Sequence, residues 1–210
     1  MNKKIMFVAI FTIILLCGCS SKKRPAGEIV SESYGKGYDN WQEAYATYIE
    51  ETDSNDRKLQ YSLICLDEDD IPELYVEGCC SADGEQVLTF HENELNILYL
   101  SRLGSEHIPE KGLIYNNCGH MDYYPIYVYK LFAGDFYIIG EGIWGGLDWS
   151  DGIKLNEKGE PDYQFEWEGK RYSEEEFYEE IDKVFPLEEG VRPSEWYEGD
   201  EILELMSFGS

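Results

Sequence analysis

The feature that most constrains the fold is a series of short apolar segments between Lys58 and Tyr172. These segments are rich in β-branched and aromatic residues, and Gly, Asn or Asp separates each from the next at roughly ten-residue spacing. No helical segment long enough for a βαβ crossover interrupts the series. The pattern therefore predicts an antiparallel β-meander of about seven to nine strands.

Amphipathic helical segments frame this series. In the first, apolar side chains recur at helical spacing, and Asn40 and Glu43 can cap its start. In the second, Ser173 and Glu176 form a capping-box pattern that precedes an apolar stripe. A short third helix is expected at residues 199–206. We therefore expect an α+β protein, an antiparallel β-meander covered by N-terminal and C-terminal helices.

The start of the chain has the features of an exported protein that is anchored by lipid. Two lysines precede the apolar run Ile5–Leu16, which is shorter than the roughly 20 residues that span a bilayer. The sequence Leu-Cys-Gly-Cys that ends at Cys19 resembles a bacterial lipobox, which implies a diacylglyceryl group on Cys19 and cleavage after Gly18. The prediction is a lipid-anchored protein on the extracytoplasmic face of the cell membrane, with the bilayer as its partner through Cys19. An ordinary secretory signal or an N-terminal anchor is the alternative.

Composition changes along the chain predict its domain organisation. Residues 20–38 are polar and carry Gly, Ser and Pro, which is typical of a flexible tether. The rest of the chain has the length of one domain, and a content of 43% hydrophobic and 15% aromatic residues favours a packed core. We expect a lipoprotein signal peptide at residues 1–18, a lipidated tether at residues 19–38 and a single α+β domain at residues 39–210.

The charge balance limits the partners. The chain has 17 basic and 43 acidic residues and a formal net charge of −26. Such a field repels phosphate backbones, so we expect no nucleic-acid partner. Cations, cationic peptides and neutral glycans are compatible with it.

Four adjacent acids, Asp67–Asp70, interrupt two apolar segments and raise the question of a calcium site. Asp67, Asp69 and Glu73 have the alternate spacing of the ligands in an EF-hand-like loop. The loop lacks the glycine and the final bidentate carboxylate of such loops, because Asp70 and Val76 stand there. We expect a solvated turn between two strands, with a degenerate Ca²⁺ site at the three acids as the alternative, and no other cofactor.

The segment YSLICLDEDDIPELYV, residues 61–76, resembles a D-x-D-D/G-IPEL segment of many uncharacterised lipoproteins of Gram-positive anaerobes. The same proteins often carry a C-terminal segment similar to FEWEGKRYSEEEF, residues 165–177. Some members have a fuller D-x-D-G-D-G loop, which suggests an ancestral metal loop. The resemblance implies an α+β lipoprotein, and it supplies no catalytic residues.

Four cysteines follow the lipobox, and an exported location permits disulfides between them. They can pair in three ways, and a bridge from Cys79 or Cys80 to Cys118 is the favoured one, since a bridge between adjacent cysteines is strained. Cys65 is the fourth cysteine. A zinc site formed by Cys79, Cys80, Cys118 and His120 is an alternative whose spacing departs from that of structural zinc sites.

No catalytic pattern emerges from the three histidines or from a nucleophile motif, so we do not expect an enzyme. The glycine-rich segment IWGGLDW carries Trp144 and Trp149, which could stack on a ligand from an open loop. The sequence therefore predicts a non-enzymatic module that binds an unknown ligand or surface protein. The alternatives are a cell-envelope hydrolase, in which a histidine or a carboxylate pair converges in a cleft, and a calcium-stabilised surface module.

Overall fold

A computed structural model describes residues 25–53, 58–146 and 155–208. Within these residues the chain forms three α-helices, one 3₁₀ turn and twelve β-strands. The helices are α1 (Trp41–Asp53), α2 (Glu174–Asp182) and α3 (Gly199–Phe208), and the 3₁₀ turn is Leu187–Glu189. The strands are β1 (Glu28–Ile29), β2 (Glu32–Lys36), β3 (Gln60–Ile64), β4 (Glu73–Glu77), β5 (Glu85–His91), β6 (Glu94–Leu100), β7 (Glu106–Ile108), β8 (Leu113–Asn117), β9 (Tyr123–Phe132), β10 (Asp135–Gly145), β11 (Gln164–Trp167) and β12 (Lys170–Tyr172).

The strands form two antiparallel sheets. Sheet I has the order β2-β6-β5-β4-β3, and sheet II has the order β12-β11-β10-β9-β8-β7 with β1 paired to β10. Consecutive strands pair from β3 to β6 and again from β7 to β12, so the expected meander and the α+β class are confirmed. The meander is divided between two sheets, which the strand pattern did not predict.

The two sheets lie face to face between layers of helix. One face of sheet I packs against α1 and α3, and its other face packs against sheet II. The far face of sheet II packs against α2. The inter-sheet core includes Tyr75 and Val87 from sheet I and Tyr129 and Phe136 from sheet II.

The central strands are apolar on both faces because both faces are covered. Successive side chains of a strand point to opposite sides. In β4, Leu74 and Val76 therefore join the core under α1 and α3, whereas Tyr75 lies between the sheets. The same alternation places Leu88 in the helix-covered core and Val87 between the sheets.

The expected helix caps are present. The Ser173 side chain accepts a hydrogen bond from the Glu176 amide, and the Glu176 carboxylate accepts one from the Ser173 amide at 3.0 Å. At the start of α1, the Asn40 side chain accepts a hydrogen bond of 2.9 Å from the Glu43 amide. These bonds satisfy amides that the first helical turn leaves without partners.

Part of the segment predicted as a tether, residues 19–38, belongs to the two sheets. Residues 28–29 form β1 in sheet II, and residues 32–36 form β2 at the edge of sheet I. The boundary at residue 39 is therefore a wrong prediction for this part of the segment. Its polar composition is that of an exposed edge strand, in which the backbone rather than apolar side chains makes the pairing.

The predicted signal peptide and lipidated Cys19 lie outside the described residues. Among the residues that are described, no helix has the length and apolarity needed to cross a membrane.

Candidate functional site

Two buried glutamates mark the opposite ends of the inter-sheet layer. Glu73 is the first residue of β4 and Glu85 is the first residue of β5, and both are only 1% exposed. Because β4 and β5 are antiparallel, their first residues lie at opposite ends of sheet I. Strand alternation places both side chains on the face that contains Tyr75 and Val87, which is the face toward sheet II.

The Glu85 carboxylate has a cationic partner. Its Oε1 atom lies 2.8 Å from Nη2 of Arg192 and accepts a hydrogen bond of 2.9 Å from the Gly104 amide. Its Oε2 atom accepts from the Ser105 amide at 2.9 Å and from the Ser105 hydroxyl. This buried charge is therefore both paired and hydrogen-bonded, as buried charges in proteins usually are.

The Glu73 carboxylate has neutral donors only. Its Oε2 atom accepts a hydrogen bond of 2.9 Å from the Leu66 amide, and its Oε1 atom accepts one of 3.4 Å from the Thr89 hydroxyl. Among the described side chains, no lysine, arginine or histidine forms an ion pair with it. The two ends of the inter-sheet layer thus differ in whether a cation reaches the buried acid.

The loop between β3 and β4 brings two further acids to Glu73. The carboxylate oxygens of Asp67, Asp69 and Glu73 lie within 4.8 Å of one another. Asp67 Oδ1 accepts a hydrogen bond of 3.0 Å from the Asp69 amide, and Asp69 Oδ1 accepts one of 2.8 Å from the Ile71 amide. The loop is therefore more than a solvated turn, because it folds two of its carboxylates toward a third that is buried.

The environment favours the protonated form of two of these acids. Burial raises the pKa of Glu73 to about 8, and the neighbouring charges of Asp67 and Asp69 act in the same direction against the hydrogen bond from Leu66. Burial, followed by the charge of Asp67, also raises the pKa of Asp69. The charges of Asp67 and Asp69 therefore oppose ionisation of Glu73. The charge of His91, in contrast, acts to lower the pKa of Asp69.

A cleft of about 440 Å³ opens beside this acid cluster. One wall comes from sheet I and its β3–β4 loop, with Asp67, Asp69 and His91. The other wall comes from the turns of sheet II, with Lys111 and Lys130. Its volume lies within the range of about 300–1,000 Å³ that is usual for small-ligand sites, so water and a small solute can reach the cluster.

Trp144, one of the two predicted ligand-binding residues, lies in an aromatic stack. Its ring is parallel to that of Tyr124, with centroids 3.9 Å apart, and also to that of Phe165, with centroids 6.1 Å apart. Its Nε1 atom is buried and has no hydrogen-bond partner among the described residues. The ring thus contributes to the packing between sheet II and α2. Trp149 lies outside the described residues.

Of the tyrosines in β9, Tyr123 is more exposed than Trp144. Tyr123 is 43% exposed, and it borders a shallow depression of about 180 Å³ together with Pro125 and Tyr127. Glu141 and Glu166 lie beside these rings. This face of sheet II is a second surface on which a ligand could stack.

The four cysteines of the domain are free thiols, so the favoured bridge to Cys118 is absent from the structure. Cys79 and Cys80 lie in the β4–β5 loop, and their Sγ atoms are within 4.8 Å of each other and of a carboxylate oxygen of Asp83. A hydrogen bond to Asp83 raises the pKa of Cys79 to about 11. Neither Cys118 nor His120 belongs to this cluster, which differs from the predicted zinc set.

Sequence reasoning missed two buried polar residues, Glu85 and His107, and the exposed Arg192 that pairs with Glu85. His107 is buried beside Tyr75, with ring centroids 6.4 Å apart, and burial lowers its pKa to about 4. The signal that could have indicated Glu85 is a charged residue at an inward position of an otherwise apolar strand. No comparable signal points to Arg192, which follows the last strand.

Comparison of the chain with models of protein families, with curated proteins and with solved structures gives no match in any of the three.

Proposed function

We propose that this protein is a membrane-anchored extracytoplasmic lipoprotein that acts as a non-enzymatic binding module, and that it binds a divalent cation at Asp67, Asp69 and Glu73. The observation that carries the proposal is the nearly complete burial of the Glu73 carboxylate beside two other carboxylates, without a cationic side chain. A carboxyl group buried without a cationic side chain either keeps its proton, as the raised pKa of Glu73 indicates for the metal-free protein, or coordinates a metal that displaces that proton.

Glu85 supports this proposal as an internal comparison. Both glutamates are equally buried, both are the first residue of a strand, and both point toward sheet II. Arg192 neutralises Glu85 but not Glu73. A bound cation would do at Glu73 what Arg192 does at Glu85. Because the cluster is connected to solvent through the cleft, an ion can enter without unfolding of the loop.

The donor set favours calcium. Ca²⁺ takes six to eight oxygen ligands in flexible geometry, and carboxylates can bind it through one or both oxygens. Three carboxylates supply several of these ligands, and water from the cleft can supply the remainder. Mg²⁺ demands stricter octahedral geometry and keeps more of its waters, so we expect it to bind more weakly.

A thermal melt tests the cation site. The full-length chain in detergent is melted in chelator and then in about 10 mM Ca²⁺, which is at least tenfold above the roughly 10⁻⁴–10⁻³ M dissociation constants of extracellular calcium modules. Mass action predicts a gain of about 1.4–2.7 kcal/mol, or a rise in Tm of roughly 3–10 °C. The variants Glu73→Gln and Asp67→Asn should lose this rise.

The variant Asp70→Asn is the matched control, since Asp70 lies in the same loop but outside the cluster. It should keep the full rise in Tm. The proposal fails if Ca²⁺ does not stabilise the unsubstituted chain, or if Asp70→Asn and Glu73→Gln reduce the rise equally, because general screening of acidic charge would then explain the effect.

The lipid anchor is supported by the lipobox resemblance and requires its own test. Mass spectrometry of the N-terminal peptide from membranes should find a diacylglyceryl group on Cys19. A Cys19→Ser variant should carry no lipid, and its signal peptide should not be cleaved after Gly18. Detection of an unmodified Cys19 in the mature protein would exclude the anchor.

A hydrolase is the second candidate, because the same cleft is lined by His91 and by Asp69, whose pKa is raised. Against it, both oxygens of Glu73 accept internal hydrogen bonds, and its side chain is not accessible to a substrate. Hydrolysis of a panel of glycosides or esters that Asp69→Asn abolishes would favour the enzyme over the binding module.

A further inference from the structure

We infer that the β4–β5 loop forms a second cation site, in which Cys79, Cys80 and Asp83 bind a thiophilic divalent cation such as Zn²⁺. The two Sγ atoms and the Asp83 carboxylate oxygen lie within 4.8 Å of one another. The site lies at the end of β4 that is opposite to Glu73. It is therefore independent of the site proposed for Asp67, Asp69 and Glu73.

The backbone holds the three donors together in the folded chain. The Gly78 amide donates a hydrogen bond of 3.0 Å to the Gly84 carbonyl, and the Asp83 amide donates one of 2.9 Å to the Cys80 carbonyl. The first bond closes the base of the loop, and the second forms its turn. This turn brings Asp83 close to Cys79, whose Sγ atom lies 2.8 Å from Asp83 Oδ2.

Two glycines permit this close return. A Cβ atom at Gly78 would lie 2.4 Å from the Asp83 Cβ, which is too short for any side chain. Gly84 has a φ of +73°, and a Cβ there would lie 2.3 Å from the Leu100 carbonyl oxygen. The loop can adopt this shape only because both positions lack a side chain.

The donor set selects a soft or borderline cation. Thiolates favour zinc and related metals over calcium and magnesium, which require oxygen ligands. Two sulfurs and one carboxylate leave a fourth tetrahedral position for water, which is the arrangement of an open zinc site. Binding would displace the thiol protons to solvent.

The surroundings also favour a cation. All three residues are exposed, and a cleft of about 700 Å³ adjoins Cys79. Its walls carry Asp53, Glu77 and Glu198, and the cations beside these acids are Lys58 and Arg192, of which Arg192 pairs with Glu77. An acidic surround of this kind raises the local concentration of cations near the thiols.

The probe for this site is Co²⁺, whose complexes with thiolates have a charge-transfer absorption that complexes with carboxylates lack. The full-length chain is prepared with Cys17→Ser and Cys19→Ser, so that the N-terminal thiols do not contribute, and is reduced and freed of metal in detergent. We expect the absorption to saturate at one Co²⁺ per chain and to disappear when Zn²⁺ is added.

Cys79→Ser and Cys80→Ser should each abolish the thiolate absorption, and Asp83→Asn should weaken Zn²⁺ binding about tenfold or more. Cys65→Ser and Cys118→Ser are the matched controls and should leave both measurements unchanged. An absence of thiolate absorption in the full-length Cys17→Ser/Cys19→Ser chain overturns the inference. So does an absorption that survives Cys79→Ser or that requires Cys118.

The calcium experiment and this one have separate outcomes. The acid variants Asp67→Asn and Glu73→Gln should not change the Co²⁺ absorption, and Cys79→Ser should not change stabilisation by Ca²⁺. Either proposal can therefore fail while the other holds.

Discussion

Glu85 and Arg192 are 107 positions apart in the chain, yet Oε1 of the buried Glu85 carboxylate lies 2.8 Å from Nη2 of Arg192. The same guanidinium also pairs with Glu77. Arg192 follows the last strand and belongs to no helix or strand. This pair therefore fastens the C-terminal segment to sheet I.

Loss of Arg192 should destabilise the protein more than loss of either acid's charge. Arg192→Met leaves a buried carboxylate without its cation, and removal of one partner of a buried pair costs about 3–5 kcal/mol. Arg192 is 40% exposed, so we expect about 2–3 kcal/mol, measured by urea unfolding. Glu77→Gln is the control and should cost less than about 1 kcal/mol, because its pair is more exposed. Equal losses in the two variants would contradict this assignment.

The buried His107 should make stability depend on pH below neutrality. Its folded pKa of about 4 lies below the ordinary value of 6.5, so between these values the unfolded chain binds a proton that the folded chain does not. Stability should therefore fall as the pH falls from 6.5 to 4, by up to about 3 kcal/mol.

The variant His107→Phe isolates this contribution. Other groups titrate over the same range, so the quantity to measure is the difference between the two profiles of unfolding free energy against pH. The unsubstituted chain should lose stability faster than the variant as the pH falls. Parallel profiles would show that His107 does not carry the expected proton linkage.

A methyl group at Gly142 should strain the layer between sheet II and α2. Its Cβ would lie 2.5 Å from Cε3 of Trp167 and 3.2 Å from Cε2 of Phe177. Overpacking of this kind costs about 1–3 kcal/mol, and we expect Gly142→Ala to lose that much in urea unfolding. The control is Gly146→Ala, since the nearest atom to its Cβ lies at 4.0 Å. A neutral Gly142→Ala would show that Trp167 can move aside.

Local features of the fold follow from the sequence, because their causes lie within a few residues. The turn at Glu92 and Asn93 has positive φ angles at both residues, as a two-residue hairpin turn of type I′ requires. The alternation of strand β9 places Ile126 and Val128 in one core and Tyr127 and Tyr129 in the other, as period-2 patterning predicts. The capping box at Ser173 is likewise local.

The division into two sheets and the difference between the buried acids have distant causes. Glu73 and Glu85 begin adjacent strands, and only the position of Arg192 more than a hundred residues later distinguishes them. The sequence spacing predicted the cluster of Asp67, Asp69 and Glu73 only as the alternative to a solvated turn. The burial of Glu73 depends on the packing of the two sheets, which the spacing does not contain. The glycine-rich sequence around Trp144 is typical of an exposed loop. Its stack with Tyr124 arises because the register of β9 and β10 pairs these two residues.

The first two strands are almost continuous in sequence, yet they belong to different sheets. Only Val30 and Ser31 separate β1, which pairs with β10, from β2, which pairs with β6. The Val30 amide donates to the Phe136 carbonyl at 2.9 Å, and the Ser31 hydroxyl donates to Asp135 Oδ1 at 3.1 Å. One continuous backbone is therefore hydrogen-bonded to both sheets, and this two-residue junction is a covalent link between them.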